Sequence, residues 1–115
     1  MIDSASDAWL DRAFAALGDP VRRAIIARLS RSDATVNELA EPFGITKQAV
    51  SKHVGVLARA GLITQTQDAQ RRPCHLEADA LERLTAWIDA MRLETEARFR
   101  RLDELLTTTK KEERS

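Results

Sequence analysis

Residues 35–62 read TVNELAEPFGITKQAVSKHVGVLARAGL, and this stretch decides the fold. Thr35 and Glu38 have the spacing of a capping box, in which each side chain accepts a hydrogen bond from the other residue's backbone N–H, so a helix is expected to begin here. Gly44 supplies a flexible turn position, and Thr46 can cap a second helix. We therefore predict a helix, a tight turn and a second helix, which together form a helix-turn-helix.

The second predicted helix covers residues 47 to about 60 and presents two different faces. Four apolar residues recur at helical spacing and are expected to pack inward, namely Ala49, Val50, Val54 and Leu57. The opposite side carries Lys47, Gln48, Ser51, Lys52, Gly55 and Arg59. A polar helix face alone is more often plain solvated surface. Here it follows a turned helix pair and precedes a basic hairpin, and this context favours a helix that reads base edges and phosphates.

Length and composition indicate one small globular domain. The chain has 115 residues, of which 43% are hydrophobic and 31% charged, as in ordinary globular proteins. We expect a single domain over residues 1–109 and a disordered tail over residues 110–115. No apolar run reaches membrane-spanning length, the N-terminus lacks the pattern of an export signal, and there is one cysteine. These features predict a cytoplasmic protein with no membrane partner.

Overall charge argues mildly against a nucleic-acid partner, because 18 basic residues balance 18 acidic ones. The distribution of charge argues the other way. Residues 46–75 contain the bases Lys47, Lys52, Arg59, Arg71 and Arg72 against the single acid Asp68. A dipolar molecule with one basic face can bind DNA, with an affinity that falls as salt rises.

Two helices are predicted before this stretch. In the first, Leu10, Ala13, Phe14 and Leu17 form an apolar stripe with Trp9 beside it, and Gly18 is expected to end the helix. Asp19 and Pro20 then have the order of an N-cap and a first-turn residue, which predicts the start of a second helix.

After Gly61 the residue pattern changes to that of a two-stranded hairpin. Its first strand begins near Ile63, its polar tip covers residues 68–70, and its return segment covers residues 72–76. Arg71 and Arg72 are expected near the tip, where they can enter a minor groove or bind phosphate. No glycine marks the tip, so the turn type is left open.

From Asp79 onward the pattern is that of one long helix, on the order of 40 Å at about 1.5 Å per residue. Its apolar seam can be explained as an intramolecular core face, but it is longer than so small a domain can cover. We therefore expect self-association through this helix, to which the apolar stripe of the first helix can add. The residues expected at the dimer interface are Trp9, Leu10, Phe14, Leu84, Trp87, Ile88 and Met91.

Three segments carry a resemblance that covers nearly the whole chain: FAALGDPVRRAIIARL, ELAEPFGITKQAVSKHVGVLARAGLI and RRPCHLEADAL. They resemble the ArsR/SmtB family of bacterial winged-helix transcriptional regulators. The resemblance implies a mainly α fold with a small β-hairpin and a long C-terminal dimerisation helix. It further implies a homodimer joined through the first and last helices, which represses its own operon by placing two recognition helices in successive major grooves. The expected DNA contacts are then Thr46, Lys47, Gln48, Ser51, Lys52 and His53 in the recognition helix, with Arg71 and Arg72 in the wing.

Metal-responsive members of that family carry a cysteine pair in the helix that here covers residues 35–40, or His and carboxylate ligands on the last helix. Neither set is present in this sequence, so we expect no metal site and no cofactor. Cys74 and His75 are neighbours on a strand and should point to opposite faces, which makes them a poor chelating pair. Cys74 is expected to be a small buried hydrophobe in preference to a redox switch.

An enzyme is not expected, because the chain has no phosphate-binding glycine loop, no evident nucleophile–base pair and no catalytic residues that we can assign. The sequence favours a sequence-specific transcriptional regulator, a homodimeric repressor that binds an inverted-repeat operator in double-stranded DNA through residues 47–60 and a basic wing. Two alternatives are kept. One is a sensor of the same family that responds to a metal, an oxidant or a small ligand, and the other is a winged-helix module that binds protein.

Overall fold

The computed structural model describes residues 4–114, which form five α-helices, one short 3-10 helix and a two-stranded hairpin. The elements in chain order are α1 Ser4–Leu17, α2 Pro20–Leu29, α3 Val36–Ala40, the 3-10 helix Glu41–Phe43, α4 Lys47–Arg59, β1 Ile63–Gln65, β2 Cys74–Leu76 and α5 Ala78–Arg114. This order confirms the predicted mainly α architecture with a small hairpin and a long last helix. Residues 1–3 and 115, which belong to the predicted domain and tail, lie outside the described residues. None of the described helices is long and apolar enough to cross a membrane.

Side-chain caps begin three helices at the predicted positions. At α2, the Asp19 carboxylate accepts a hydrogen bond from the Arg22 backbone N–H at 3.0 Å. At α4, the Thr46 hydroxyl accepts one from the Ala49 N–H at 3.1 Å. Each bond satisfies a donor that the first turn of a helix leaves unpaired. The third cap is the capping box of α3, described below with the site.

The chain divides into two compact units, residues 1–81 and residues 82–115. The second unit is the greater part of α5, and the single domain over residues 1–109 stays a prediction. α5 continues through Arg114, and the disordered tail over residues 110–115 stays a prediction. No glycine or proline follows Pro73, and lysine and glutamate favour the helical state, so the sequence provides no stop signal there.

The core of the first unit lies between the helices and the hairpin. Its largest fully buried side chains are Ile25, Leu39, Val50, Leu57, Leu62, Ile63 and Cys74. Three of the four residues predicted to form the inner face of α4 are buried, namely Val50, Val54 and Leu57. Their burial fixes the rotation of α4 about its own axis and determines which side chains face outward.

The hairpin is attached to the body through β2. Cys74 pairs with Gln65 of β1, and on its other edge its N–H donates to the Ala34 carbonyl at 2.7 Å while the Ala34 N–H donates back at 3.3 Å. The Cys74 side chain is 0% exposed, which confirms the predicted buried cysteine. Backbone pairing on both edges holds the base of the wing against the loop that precedes α3.

The tip of the hairpin is a tight turn without glycine. Asp68 and Arg71 exchange two backbone hydrogen bonds of 2.9 Å, which leaves Ala69 and Gln70 as a two-residue loop. Ala69 has φ 55, the left-handed conformation that costs a non-glycine residue about 1–2 kcal/mol. Because alanine rarely adopts this conformation, the sequence gives no means of predicting the turn type.

Candidate nucleic-acid interface

A row of polar side chains on α4 and its N-cap faces solvent. Every expected contact residue on this element except His53 is exposed, namely Thr46, Lys47, Gln48, Ser51 and Lys52. The row lies opposite the buried residues Val50, Val54 and Leu57, because those three residues face the core. Apart from the Thr46 hydroxyl, which caps α4, the amide, hydroxyl and ammonium groups of the row are free to bind base edges and phosphates within the part of the chain that the structure describes.

The hairpin adds two arginines beside this row. A groove of about 570 Å³ lies between α3, α4 and the hairpin. Its polar lining residues are Thr35, Asn37, Ser51, Gln65, Gln70, Arg71 and Arg72, and none of the residues that line it is acidic. The structure therefore brings Ser51 of the helix and both predicted wing arginines to one concave surface.

One of the two arginines is held by an acid on α3. Arg71 Nη2 donates to Glu38 Oε1 at 2.8 Å. The same carboxylate oxygen accepts from the Thr35 N–H at 3.2 Å and from the Thr35 hydroxyl at 2.9 Å, while the Glu38 N–H donates to that hydroxyl at 3.3 Å. These bonds confirm the predicted capping box. The hydrogen bond from the Thr35 backbone, with smaller contributions from the Thr35 hydroxyl and Arg71, lowers the pKa of Glu38.

Arg72 differs from its neighbour. Its side chain is exposed, and within residues 4–114 its guanidinium has no ion pair. The Arg72 backbone carbonyl accepts a hydrogen bond from the Gln65 side-chain amide at 3.3 Å. The Arg72 guanidinium is therefore available to bind an anion. Arg71 can bind one only after its hydrogen bond with Glu38 is broken.

His53 does not lie in the exposed row with the other expected contacts. Its Nδ1 is 3.8 Å from Asp19 Oδ2 and 3.3 Å from Arg22 Nη1, and the side chain is 24% exposed. His53 directly precedes the buried Val54, which turns its ring toward the start of α2. The Arg22 backbone N–H, followed by the charges of His53 and Arg22, lowers the pKa of Asp19. We leave His53 out of the interface proposed below.

Three further contacts were not predicted from the sequence. A Cβ added to Gly55 would lie 3.2 Å from Arg59 Nη1, so the glycine makes room for a guanidinium that lies along its own helix. The i, i+4 spacing of this pair was the available signal. His75 places Nδ1 2.8 Å from Asp33 Oδ2 and Nε2 2.6 Å from the Thr66 hydroxyl, and no local pattern indicates either partner.

Cys74 and His75 are the two neighbouring residues of β2 that could be considered as metal ligands. Cys74 is buried and His75 is partly exposed, as expected for neighbours on opposite faces of a strand. Burial raises the pKa of the Cys74 thiol. Among the described residues, no group of three or more His, Cys, Asp or Glu side chains is placed to hold a metal ion.

The residues expected at a dimer interface lie on α1 and α5. On α1, Trp9 and Leu10 are half-buried and Phe14 is 39% exposed. Trp9 Nε1 lies 3.5 Å from the position that a Cβ on Gly61 would take. On α5, Leu84 is 4% exposed, whereas the three other expected residues, Trp87, Ile88 and Met91, are 43–50% exposed.

Comparison with known protein sequences agrees with this architecture. A family model described as a helix-turn-helix domain matches residues 17–66. The chain is 38% identical over 79 residues to the HTH-type transcriptional regulator Rv2034 of Mycobacterium tuberculosis, and the match covers 69% of this chain and 74% of the relative. It is 30% identical over 79 residues to the transcriptional repressor SdpR of Bacillus subtilis, and that match covers 69% of this chain and 88% of the relative.

Solved structures extend the comparison to the fold. A crystal structure of an ArsR family transcriptional regulator is 36% identical and superposes with a TM-score of 0.72, covering 78% of this chain and 93% of its own. The homodimeric winged helix-turn-helix DNA-binding domain of a possible ArsR-family regulator from Mycobacterium bovis has a TM-score of 0.65, covering 80% and 85% of the two chains. Because the second structure is only 21% identical to this chain, it supports the fold alone. The predicted winged helix-turn-helix fold is confirmed.

Proposed function

The chain belongs to the ArsR family of winged helix-turn-helix transcriptional regulators, and we propose that it represses transcription by binding an inverted-repeat operator as a homodimer. The observation that carries the proposal is a single groove that is lined by Ser51 of α4 and by Arg71 and Arg72 of the wing. The major groove of DNA is about 12 Å wide and admits one α-helix. A wing beside that helix can reach the adjoining sugar-phosphate backbone of the DNA. The proposal includes no catalytic step.

Within this interface the residues have different tasks. Gln48 and Ser51 are exposed in the middle of the row and carry the groups that hydrogen-bond base edges. Lys47, Lys52 and Arg72 are cations suited to phosphates, which position the protein without reading sequence. The Thr46 hydroxyl is already engaged in capping α4, so its task is to hold the helix N-terminus, which itself favours an anion.

The dimeric state is supported by two observations. The M. bovis domain of the same fold is homodimeric, and α5 of this chain exposes a series of large apolar side chains. A two-fold dimer binds two half-sites whose centres lie about one helical turn, or about 34–36 Å, apart. Repression is inferred from the likeness to the repressor SdpR, and DNA binding implies action in the cytoplasm.

The test is a comparison of two duplexes at physiological salt. The first carries the DNA upstream of the protein's own gene, and the second has the same composition in scrambled order. We expect a preference for the first of at least about a thousandfold, and a matched duplex with about five base pairs added between the half-sites should lose most of it, because the half-sites then face opposite sides of the DNA. Equal affinity for the native and scrambled duplexes would overturn the proposal and favour a protein-binding module.

A further inference from the structure

A second recess lies within the first compact unit, between α1, α2 and α4. Its volume is about 290 Å³. It is lined by four small apolar residues and three arginines, namely Ala15, Ala16, Val56, Ala60, Arg12, Arg22 and Arg59. Among the described residues, none that lines this recess is acidic. An apolar surface with several convergent cations is the lining expected of a site for a small anionic molecule.

Arg22 is already held in place at this recess by the body of the protein. Its Nε donates to the Ala16 carbonyl at 2.6 Å, and its Nη2 donates to the Ala15 carbonyl at 3.2 Å. Its Nη1 lies 3.3 Å from His53 Nδ1. A guanidinium has five N–H donors, so these three contacts leave two donors for a ligand. Because the group is ordered before a ligand arrives, binding costs little side-chain entropy.

Arg12 and Arg59 carry charges that the chain leaves unpaired. Both side chains are exposed, and within residues 7–110 neither has an ion pair. Arg59 folds back along α4, where its Nη1 would lie 3.2 Å from a Cβ added to Gly55. Glycine inside a helix is less stable than alanine, but here it provides the space for this guanidinium. Three positive charges at one recess repel one another, and an anion bound among them removes this repulsion.

The recess and the expected dimer contacts use different sides of α1. At about 3.6 residues per turn, Arg12 lies on the side of the helix opposite Leu10 and Phe14. On α4, Arg59 is thirteen residues beyond the Thr46 N-cap, or about 20 Å along the helix. Recognition helices contact bases mainly through their N-terminal residues. Arg12 and Arg59 are therefore available for another partner.

We propose that this recess binds a small carboxylate with an apolar body. The carboxylate binds the three guanidiniums, whose planar forks of N–H donors match its two oxygens. The apolar body lies against the three alanines and Val56, which removes apolar surface from water. Among the described residues no hydroxyl or amide side chain lines the recess, so a sugar or a nucleotide finds no matching groups there.

The bound carboxylate regulates DNA binding, because it contacts α1 and the recognition helix α4 together. A ligand that contacts α4 in one orientation more favourably than in another shifts the equilibrium between the two. The binding of the ligand does not depend on the proposed function. Its effect on DNA rests on that function.

Isothermal titration calorimetry with octanoate tests the site. We expect one octanoate per chain, with a Kd of about 1 mM or below. Acetate and inorganic phosphate keep the charge without the apolar body, and 1-octanol keeps the body without the charge. Each should bind at least about tenfold more weakly than octanoate. Phosphate that binds as tightly as octanoate would overturn the proposal, because the apolar lining would then contribute nothing.

Two variants locate the bound octanoate. Arg12→Gln and Arg59→Gln should each weaken its binding at least about threefold, because each removes an ion pair with the carboxylate. Arg31→Gln is the matched control, since Arg31 is an exposed arginine of the same unit that does not line the recess. Equal losses in all three variants would assign the effect to net charge and overturn the proposal. Unchanged binding in Arg12→Gln and Arg59→Gln would place octanoate elsewhere and overturn it too. Circular dichroism verifies that each variant is folded.

Fluorescence anisotropy of an operator duplex, with and without saturating octanoate, tests the regulation. Coupling between two sites commonly changes affinity about 5–150-fold, so we expect a change of at least about fivefold. The change should be smaller in Arg59→Gln at the same octanoate concentration. An operator affinity that octanoate leaves unchanged would refute the regulatory role. A protein that binds no operator at all would instead refute the proposed function, and calorimetry would still decide whether the carboxylate site exists.

Discussion

Arg71 of the hairpin donates a hydrogen bond of 2.8 Å from Nη2 to Oε1 of Glu38 on α3, across 33 residues of sequence. The carboxylate that receives it is also the acceptor of the α3 capping box. Glu38 therefore has two roles: it helps to cap the start of α3, and it restrains Arg71 of the wing. In the proposed complex with DNA, a phosphate would compete with Glu38 for the Arg71 guanidinium.

Glu38→Gln should tighten DNA binding. Glutamine can replace glutamate at the N3 position of a capping box, so α3 should still begin at the same residue. The substitution removes the negative charge that holds Arg71. One additional phosphate contact should make the slope of log K against log salt more negative by about 0.9. Fluorescence anisotropy at several salt concentrations measures both changes.

The matched control for this change is Glu41→Gln. Glu41 is an exposed acid close by in the chain, and within residues 4–114 it has no ion pair. If Glu38→Gln and Glu41→Gln tighten binding equally, the cause is net charge, and the Arg71–Glu38 contact is not a restraint. A genuine restraint predicts that the gain from Glu38→Gln disappears when Arg71 is also changed to Ala.

Gln48→Ala and Ser51→Ala should each weaken operator binding by about 1–3 kcal/mol and leave random DNA nearly unaffected, because a lost base contact reduces specificity. Gln67→Ala is the control, since Gln67 is an exposed glutamine of the hairpin that does not line the groove. Competition assays with operator and scrambled duplexes give both affinities. A uniform loss on the two duplexes would assign Gln48 and Ser51 to the backbone.

Arg72→Ala should weaken operator and random DNA alike and make the salt slope less negative by about 0.9. The physical reason is that Arg72 carries an unpaired, exposed charge near the tip of the wing and is suited to phosphate. Arg101→Ala removes the same charge from α5 and should change the slope little. Equal slopes for the two variants would mean that the wing does not touch DNA.

Acid should weaken the cap of α2. The pKa of Asp19 is lowered in the folded state, first by the Arg22 backbone N–H, so the carboxylate stabilises the fold fully above its unfolded-state pKa. This stabilisation is lost as the pH falls through the lower folded-state pKa. Asp19→Asn keeps an uncharged cap and should lose less stability than native protein between about pH 5 and pH 2. Urea unfolding at a series of pH values measures this, and parallel curves for the two proteins would contradict it.

Cys74 should be an unreactive thiol. It is 0% exposed, and burial raises the pKa of its thiol, which keeps the nucleophilic thiolate scarce at neutral pH. Iodoacetamide should therefore label the native protein at least roughly tenfold more slowly than the urea-unfolded protein, whereas Thr107→Cys should acquire a rapidly labelled site. Cys74→Ser should bind operator within a few-fold of native. Release from DNA by peroxide or zinc that disappears in Cys74→Ser would support the sensor alternative.

The sequence predicts the structural features that depend on residues close together in the chain. It does not predict contacts between residues that are far apart in the chain. Asp19, Thr35 and Thr46 cap helices through bonds to residues three positions ahead, so their spacing alone located three helix starts. The partners of His53 and Arg71 lie more than 30 residues away, and only the folded packing of α2, α3, α4 and the hairpin brings them together. For this reason the sequence indicates neither the contacts of His53 with Asp19 and Arg22 nor the restraint on Arg71, and it leaves His53 as either a DNA-facing or a turn-packing histidine.

The double pairing of Cys74 decides which part of the wing loses conformational freedom when DNA binds. Its backbone is bonded to Ala34 on one edge and paired with Gln65 on the other, so the base of the hairpin is ordered before any encounter. Beyond it, residues 67–72 are exposed, and side chains of this kind lose about 0.5–1.5 kcal/mol of entropy each when immobilised. Within the wing, the entropy cost of association therefore falls on the tip, which can adapt to differences in groove width while α4 keeps its orientation.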